Sequence, residues 1–340
     1  MAFSKDLALL LALGAVLVGC AWPLDDAPAP SAAAVATLPG CPLLQNTLNL
    51  QGSTRAVTLA GGQTLWVFAG AVQQGDRWVP GLALSATPTD PCYESLAVSM
   101  AFAPTGVLAA AHAGLLDVVS WQGGAAAFYQ AWVDDPSRPF GVRILGSGLA
   151  EYDSNLNMFI ANDQLLWLSD APPYGQSALV WNGDLYAYGC VASDGGWGRS
   201  CYLARAAIGE RKNSASWQYA SDLAKFNSDP SEAVAVLVHA GDASVRHNNG
   251  QWEVLYVAPL GADVVLRRGL TPWGPFFAPH TLGRCAVADG EFCSAPQWQP
   301  LLDNRPNDLS FSWSRSSFSP LAMARVRPHW TQLATPPEIP

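Results

Sequence analysis

The sequence predicts an all-β protein, a five-bladed β-propeller, from three observations. Hairpins with glycine-containing turns recur along the chain. A third strand follows each hairpin at a similar distance. Half of the 340 residues are hydrophobic, yet after the N-terminus no apolar run approaches a membrane span. The apolar material therefore has to be a core assembled from many short strands.

The N-terminus comes first. Leu7 to Val18 is an apolar run, shorter than the roughly 20 residues of a spanning helix and of the length of a signal-peptide core. It ends in Leu17-Val18-Gly19-Cys20, the small residues and cysteine of a bacterial lipobox. Cleavage before Cys20 and a diacylglycerol on its thiol are expected. An ordinary secretory signal with a chance cysteine is the alternative. Ala21 in place of Asp favours the outer membrane. The domain is then exported and lipid-anchored, facing the periplasm or the cell exterior. Trp22 to Pro39 is dominated by Ala and Pro and cannot bury a core, so it reads as a tether. The expected boundaries are 1–19 for the signal, 20–45 for the lipidated tether, 46–330 for the propeller and 331–340 for a tail.

Composition narrows the partners. The net charge is −9 and only 13% of residues are charged, against roughly 25% in ordinary domains. An acidic balance argues against nucleic acid. The membrane is expected as a partner only through the lipid, and the propeller is expected to be a monomer. No CxxC occurs and the five His are scattered, so no metal and no cofactor are expected. With Cys20 lipidated, six cysteines remain: Cys41, Cys92, Cys190, Cys201, Cys285 and Cys293. An even count in an exported chain reads as disulfides. Cys190 and Cys201 flank one short loop and Cys285 and Cys293 another, which leaves Cys41 with Cys92.

The hairpins follow. Leu179-Val180-Trp181 leads through Asn182-Gly183 into Asp184-Leu185-Tyr186-Ala187-Tyr188. Asn-Gly between alternating strands is a strong hairpin signal, because both turn positions need positive φ. The figure recurs at Asn249-Gly250, between Val245-Arg246-His247-Asn248 and Gln251-Trp252-Glu253-Val254. It recurs again at Gly61-Gly62, before Thr64-Leu65-Trp66-Val67-Phe68, and more weakly at Gln122-Gly123-Gly124. Third strands end at Arg205, Arg268 and Ser85, which lie 22, 18 and 23 residues beyond the turn glycines. Ala322-Met323-Ala324-Arg325 supplies the last. Small antiparallel sheets of this kind bury both faces by packing around an axis. Five units are expected near 50–90, 106–150, 155–220, 235–285 and 305–330, the ring closing with strands from near both termini. Trp66, Tyr186, Trp252 and Trp181 would fill the space between sheets. A β-sandwich or two irregular β domains is the alternative.

The order of these pieces resembles the bacterial domain-of-unknown-function family 4185, over roughly residues 50 to 328. The matching features are Thr64-Leu65-Trp66-Val67-Phe68, Leu185-Tyr186-Ala187-Tyr188 with Leu203-Ala204-Arg205, Ala243-Ser244-Val245-Arg246, Leu266-Arg267-Arg268 with Trp273-Gly274-Pro275, and Leu309-Ser310-Phe311-Ser312-Trp313. The resemblance implies a five-bladed propeller with relatives among arabinan-acting glycoside hydrolases. Two departures from the family pattern stand out. Phe68-Ala69-Gly70-Ala71 carries no carboxylate where the family tends to have Phe-Gly-Asp. Trp298-Gln299-Pro300-Leu301-Leu302-Asp303 replaces a His-Pro-Glu-like segment. Glycosidases normally need two carboxyls, one protonated and one ionised.

Propeller sites usually lie at one mouth of the central channel, where innermost strands begin. Arg246 on such a strand reads either as a fork onto a carboxylate or sugar hydroxyl pair or as half of a buried salt bridge to Asp242. Asp153 and Asp242 are weak catalytic candidates, since an Asp placed like Asp153 before a strand is more often a turn residue. Trp197, in the Gly195-Gly196-Trp197-Gly198 loop between Cys190 and Cys201, reads as a sugar platform or a cap on its blade. His247 is a binding candidate without a carboxylate partner in sequence, and His239 reads as a core histidine. Two functions compete: a propeller that binds polysaccharide or serves as a scaffold after losing part of a glycosidase site, and an active arabinanase-like glycoside hydrolase.

Overall fold

The computed structural model describes residues 36–37, 51–74, 77–85, 97–98, 100–102, 108–109, 111–138, 141–161, 164–193, 198–222, 225–259, 261–285, 293–303, 309–315 and 322–326. A short strand β1 (Ala36–Thr37) precedes the first sheet, which runs in order through β2 (Gln51–Thr58), β3 (Thr64–Gln74), β4 (Arg77–Ser85) and β5 (Ala97–Val98). The second sheet contains β6 (Met100–Phe102), β7 (His112–Trp121), β8 (Gly124–Asp134), β9 (Val142–Asp153), β10 (Met158–Ala161) and β11 (Trp167–Leu168). The third contains β12 (Ser177–Trp181), β13 (Asp184–Ala192), β14 (Arg199–Ala207), β15 (Gln218–Asp222), β16 (Lys225–Asn227) and β17 (Leu237–Ala240). The fourth is β18 (Ala243–Asn248), β19 (Gln251–Val257), β20 (Asp263–Gly269) and β21 (His280–Arg284). The fifth is β22 (Cys293–Trp298), β23 (Leu309–Arg315) and β24 (Ala322–Val326), with β1 added antiparallel to β24.

This is a β-propeller. The innermost strands β2, β7, β12, β18 and β22 touch in that cyclic order, and β22 touches β2. The edge strand of the fifth sheet comes from the other end of the chain, so the ring is joined across both termini as expected.

Turn chemistry sets the hairpins. Asn182 and Gly183 have φ of 51° and 84°, and Asn249 and Gly250 have 49° and 76°, the left-handed pair that a two-residue turn between right-twisted strands requires. The unit borders differ from the sequence reading. Met158 to Ile160, expected in the third unit, fold back on β9 and belong to the second sheet. Leu237–Ala240, expected in the fourth, pair with β14 of the third. The fifth unit begins at Cys293 rather than near 305. In the first two cases a short strand, too brief to show a period of its own, joins a strand of the preceding sheet.

The core lies between sheets. Phe128, Leu149, Trp167, Tyr174, Leu185 and Trp217 fill the space between the second and third. Tyr186, Tyr188, Leu203, Trp252, Val254 and Tyr256 fill that between the third and fourth, with Trp181 packed against them at a ring distance of 5.4 Å from Trp252. Each such side chain contributes roughly 1.5–3 kcal/mol by leaving water. Cys190–Cys201 bridges paired positions of β13 and β14, and Cys285–Cys293 also forms. The second bridge staples the step from the fourth sheet to the fifth, not a hairpin loop. Cys20, Cys41, Cys92 and Trp197 lie outside the described residues.

Candidate functional site

Alternation of strand direction gives the ring two sides. Innermost strands begin on the entry side, and the turns to second strands lie on the hairpin side. Around the axis, the innermost strands are fastened by buried polar side chains. Arg55 of β2 places Nε 3.6 Å from Asp117 Oδ1 of β7. Asp117 Oδ1 also accepts from Val118 N, and its Oδ2 from Ala178 N of β12, both at 2.8 Å. Ser177 Oγ accepts from Val245 N of β18 at 2.7 Å. Ser244 Oγ donates to Gln297 Oε1 at 3.0 Å and accepts from Trp298 N of β22 at 3.1 Å. Arg55 Nη1 then donates to Trp298 O at 3.2 Å, which returns the belt to its start. Arg55 is 8% exposed and Asp117 1%. Burial pushes the Asp117 carboxyl above the usual range, against the opposing pull of Arg55 and the two backbone donors.

A second polar group lies between the fourth and fifth sheets. Arg246, Glu253 and Arg268 face one another across β18, β19 and β20. Arg246 donates from Nε to Glu253 at 2.7 Å and from Nη1 to Asp303 at 2.9 Å, and its guanidinium lies 4.0 Å from the Trp298 ring. Arg268 reaches the other Glu253 oxygen at 2.7 Å. Asp303 accepts from Ser310 N at 2.7 Å, and burial raises its pKa more than Arg246 lowers it. Arg246 and Glu253 are 6% and 1% exposed.

The residues named from sequence are not gathered into one site. Arg246 is the fourth of six residues in β18, nearer the hairpin side than the strand start where it was expected. Its salt bridges go to Glu253 and Asp303, not to Asp242. Asp242 pairs with Arg199 at 2.8 Å. Asp153 caps the turn after β9, its Oδ1 accepting from Asn155 N and Leu156 N, which is the turn role. His247 packs against both Trp181 and Trp252, its ring 5.3 Å from each. His239 is exposed, not in the core, with φ of 56°.

Sequence reasoning missed Glu253, Asp303, Arg55 and Asp117. Glu253 was within reach, since a two-residue turn at 249–250 sets it opposite Arg246. Among the described residues no three His, Cys, Asp or Glu converge as a metal site.

Glycoside hydrolysis needs two carboxyls placed either side of the sugar bond, one of them protonated. In both groups described here the carboxylate oxygens are already engaged. Asp117 gives both to Arg55 and backbone N–H groups. Glu253 gives both to arginines, and Asp303 divides its own between Arg246 and Ser310.

No protein-family model matches the sequence, and no curated protein is found as a relative. The resemblance to domain-of-unknown-function family 4185 thus rests on the order of motifs alone. Among solved structures, a presumed hydrolase from Bacteroides ovatus aligns with a TM-score of 0.57 at 16% identity, over 82% of this chain and 86% of its own. A family 117 glycoside hydrolase from the marine bacterium Zobellia galactanivorans aligns with 0.55 at 11%, over 86% and 89%. A GH43_1 enzyme from Xanthomonas citri, solved with xylose, aligns with 0.50 at 13%, over 86% and 90%. At these identities the likeness is one of fold alone, that of a β-propeller.

Proposed function

We propose that this chain is an exported lipoprotein, anchored through Cys20, whose propeller binds polysaccharide without cleaving it. The observation that carries the reading is the engagement of Asp117, Glu253 and Asp303. Each is tied to arginine, and each spends its remaining oxygen on a backbone donor or a second arginine. A carboxylate so held neither attacks a sugar carbon nor passes a proton to a leaving oxygen. The fold supports the ligand class by analogy only, since function lives in the site.

The test uses the full chain purified from membranes in detergent, incubated with a panel of arabinans, xylans and uronic-acid polymers. Retention without released oligosaccharide is the expected result. Product release that Asp117→Asn or Asp303→Asn abolishes would restore the hydrolase. For the anchor, Cys20→Ala should leave uncleaved precursor that takes no lipid label. Normal processing of that variant to a soluble product removes the lipoprotein part of the reading.

A further inference from the structure

We infer that the third sheet carries a separate carbohydrate subsite, a hollow on the hairpin side that accepts one neutral sugar residue. It rests on the polysaccharide-binding reading above and adds a place and a ligand class to it. The hollow has a volume of about 310 Å³, at the lower end of the roughly 300–1,000 Å³ of small-molecule sites. At its floor lies the end of β14, where the exposed Ala207 stops at Cβ while Ala206 turns into the core behind it. Its walls are Asp184, paired across the sheet with Ala207, and the facing positions Arg205 and Gln218. The connection from β14 to β15 adds Glu210 and Ser216 to its rim.

That connection is tied down by its own hydrogen bonds. Arg211 Nη1 donates to Ile208 O at 2.6 Å, and Arg211 Nη2 bonds Glu151 of the second sheet. The buried Trp217 donates from Nε1 to Arg211 O at 3.1 Å, and Asn213 accepts from Ala215 N. A rim held in this way spares a ligand the ordering cost that a mobile loop would impose.

The chemistry of the lining selects the ligand. Arg205 lies 4.0 Å over the Phe226 ring and gives Nε and Nη2 to Gln218, so its guanidinium plane is fixed. The side-chain carboxylates of Asp184 and Glu210 take no hydrogen bond from another side chain or a backbone donor among the described residues. The hollow thus sets two unengaged acceptors beside a fixed cation and an amide. A sugar ring, whose hydroxyls each donate and accept, can bond to both kinds of group. Two carboxylates against one guanidinium leave a net negative lining, which disfavours uronic acids and phosphates. Arg205 among the carboxylates disfavours a metal ion. Asp184, Ala207 and Gln218 sit at strand ends on the hairpin side, so a sugar bound here is remote from the entry-side mouth. It would give a polymer an additional hold and so strengthen retention of a long chain over a short one.

The experiment titrates the full chain in detergent with arabinotriose, xylotriose, trigalacturonate and the glucosamine trimer, by calorimetry. Ala207→Trp fills the hollow from an exposed position, and Asp184→Asn with Glu210→Gln keeps its shape while weakening its acceptors. A neutral trimer should bind and lose at least tenfold in affinity in both variants, with unchanged melting temperature; trigalacturonate should not bind. If Ala207→Trp fails to fold, the isosteric double variant decides. Neutral-trimer binding that both variants leave intact overturns this subsite while the polysaccharide reading stands. Tighter binding of either charged trimer overturns the ligand class. A wild-type chain that binds no trimer and retains no polymer overturns both.

Discussion

Asp117 and Glu151 are acidic residues of the same sheet, held in opposite ways. Asp117, at the axis, is 1% exposed and answers to Arg55 and two backbone donors. Glu151, at the end of β9 away from the axis, keeps 29% of its side chain in solvent and pairs with Arg211 and with Lys212 at 2.5 Å. Burial is the first influence on both. At the axis it prevails and raises the Asp117 pKa. For Glu151 it is outweighed by Lys212 and Arg211, and the pKa falls below its ordinary value. Charge near the axis is thus a costly fastener, tolerated for the geometry it fixes. Away from the axis, charge is a modest source of stability and is available for other uses.

The largest effect should come from breaking the belt. Arg55→Met leaves Asp117 buried without its cation, and such a loss costs about 3–5 kcal/mol. Urea unfolding measures it. Adding Asp117→Asn removes the stranded charge, and the double variant should recover at least half of the loss. A double variant as unstable as the sum of the two singles would show that the charge is not what matters.

Opposite pH slopes give the next test. The folded pKa of Asp117 lies above its ordinary 3.8, so its contribution is fully present below that value and is lost as pH rises through the folded pKa. The folded pKa of Glu151 lies below its ordinary 4.5, so its contribution is present above 4.5 and is lost as pH falls through the folded pKa. Measured from pH 7 down to 3, the stability of wild type relative to Asp117→Asn should rise. Relative to Glu151→Gln it should shrink. Slopes of the same sign would break the contrast.

At pH 7 Glu151→Gln should cost only about 0.5–1 kcal/mol, the range of partly exposed ion pairs. The smallest change belongs to Ala207→Trp. This exposed strand end should shift stability by less than about 0.5 kcal/mol, even as it fills the hollow.

Hairpins were legible in the sequence because they are local. Asn182-Gly183 and Asn249-Gly250 need nothing beyond their own φ values, and the register across them follows by counting. The belt was not legible. It draws single residues from separate strands, and its bonds join positions 53 to 243 residues apart. An isolated Asp in Leu115-Leu116-Asp117-Val118 carries no periodic signal, and nothing near Arg55 points to Trp298. Asp153 is the local counter-case: the sequence favours its turn role, and the backbone donors Asn155 N and Leu156 N bear it out.

The bond from Arg55 to the Trp298 carbonyl spans 243 residues. Chains are made from the N-terminus, and domains form as their segments emerge. The second, third and fourth sheets can therefore each settle against a neighbour already present. The first cannot. One face of β2 must wait, uncovered, until β22 has been synthesised and brought round to meet it. That wait sets a long-range closure as the late step of assembly, of the kind that makes non-local β topologies slow. Until it is complete, the nascent chain exposes an apolar sheet face that a holding chaperone would have reason to cover.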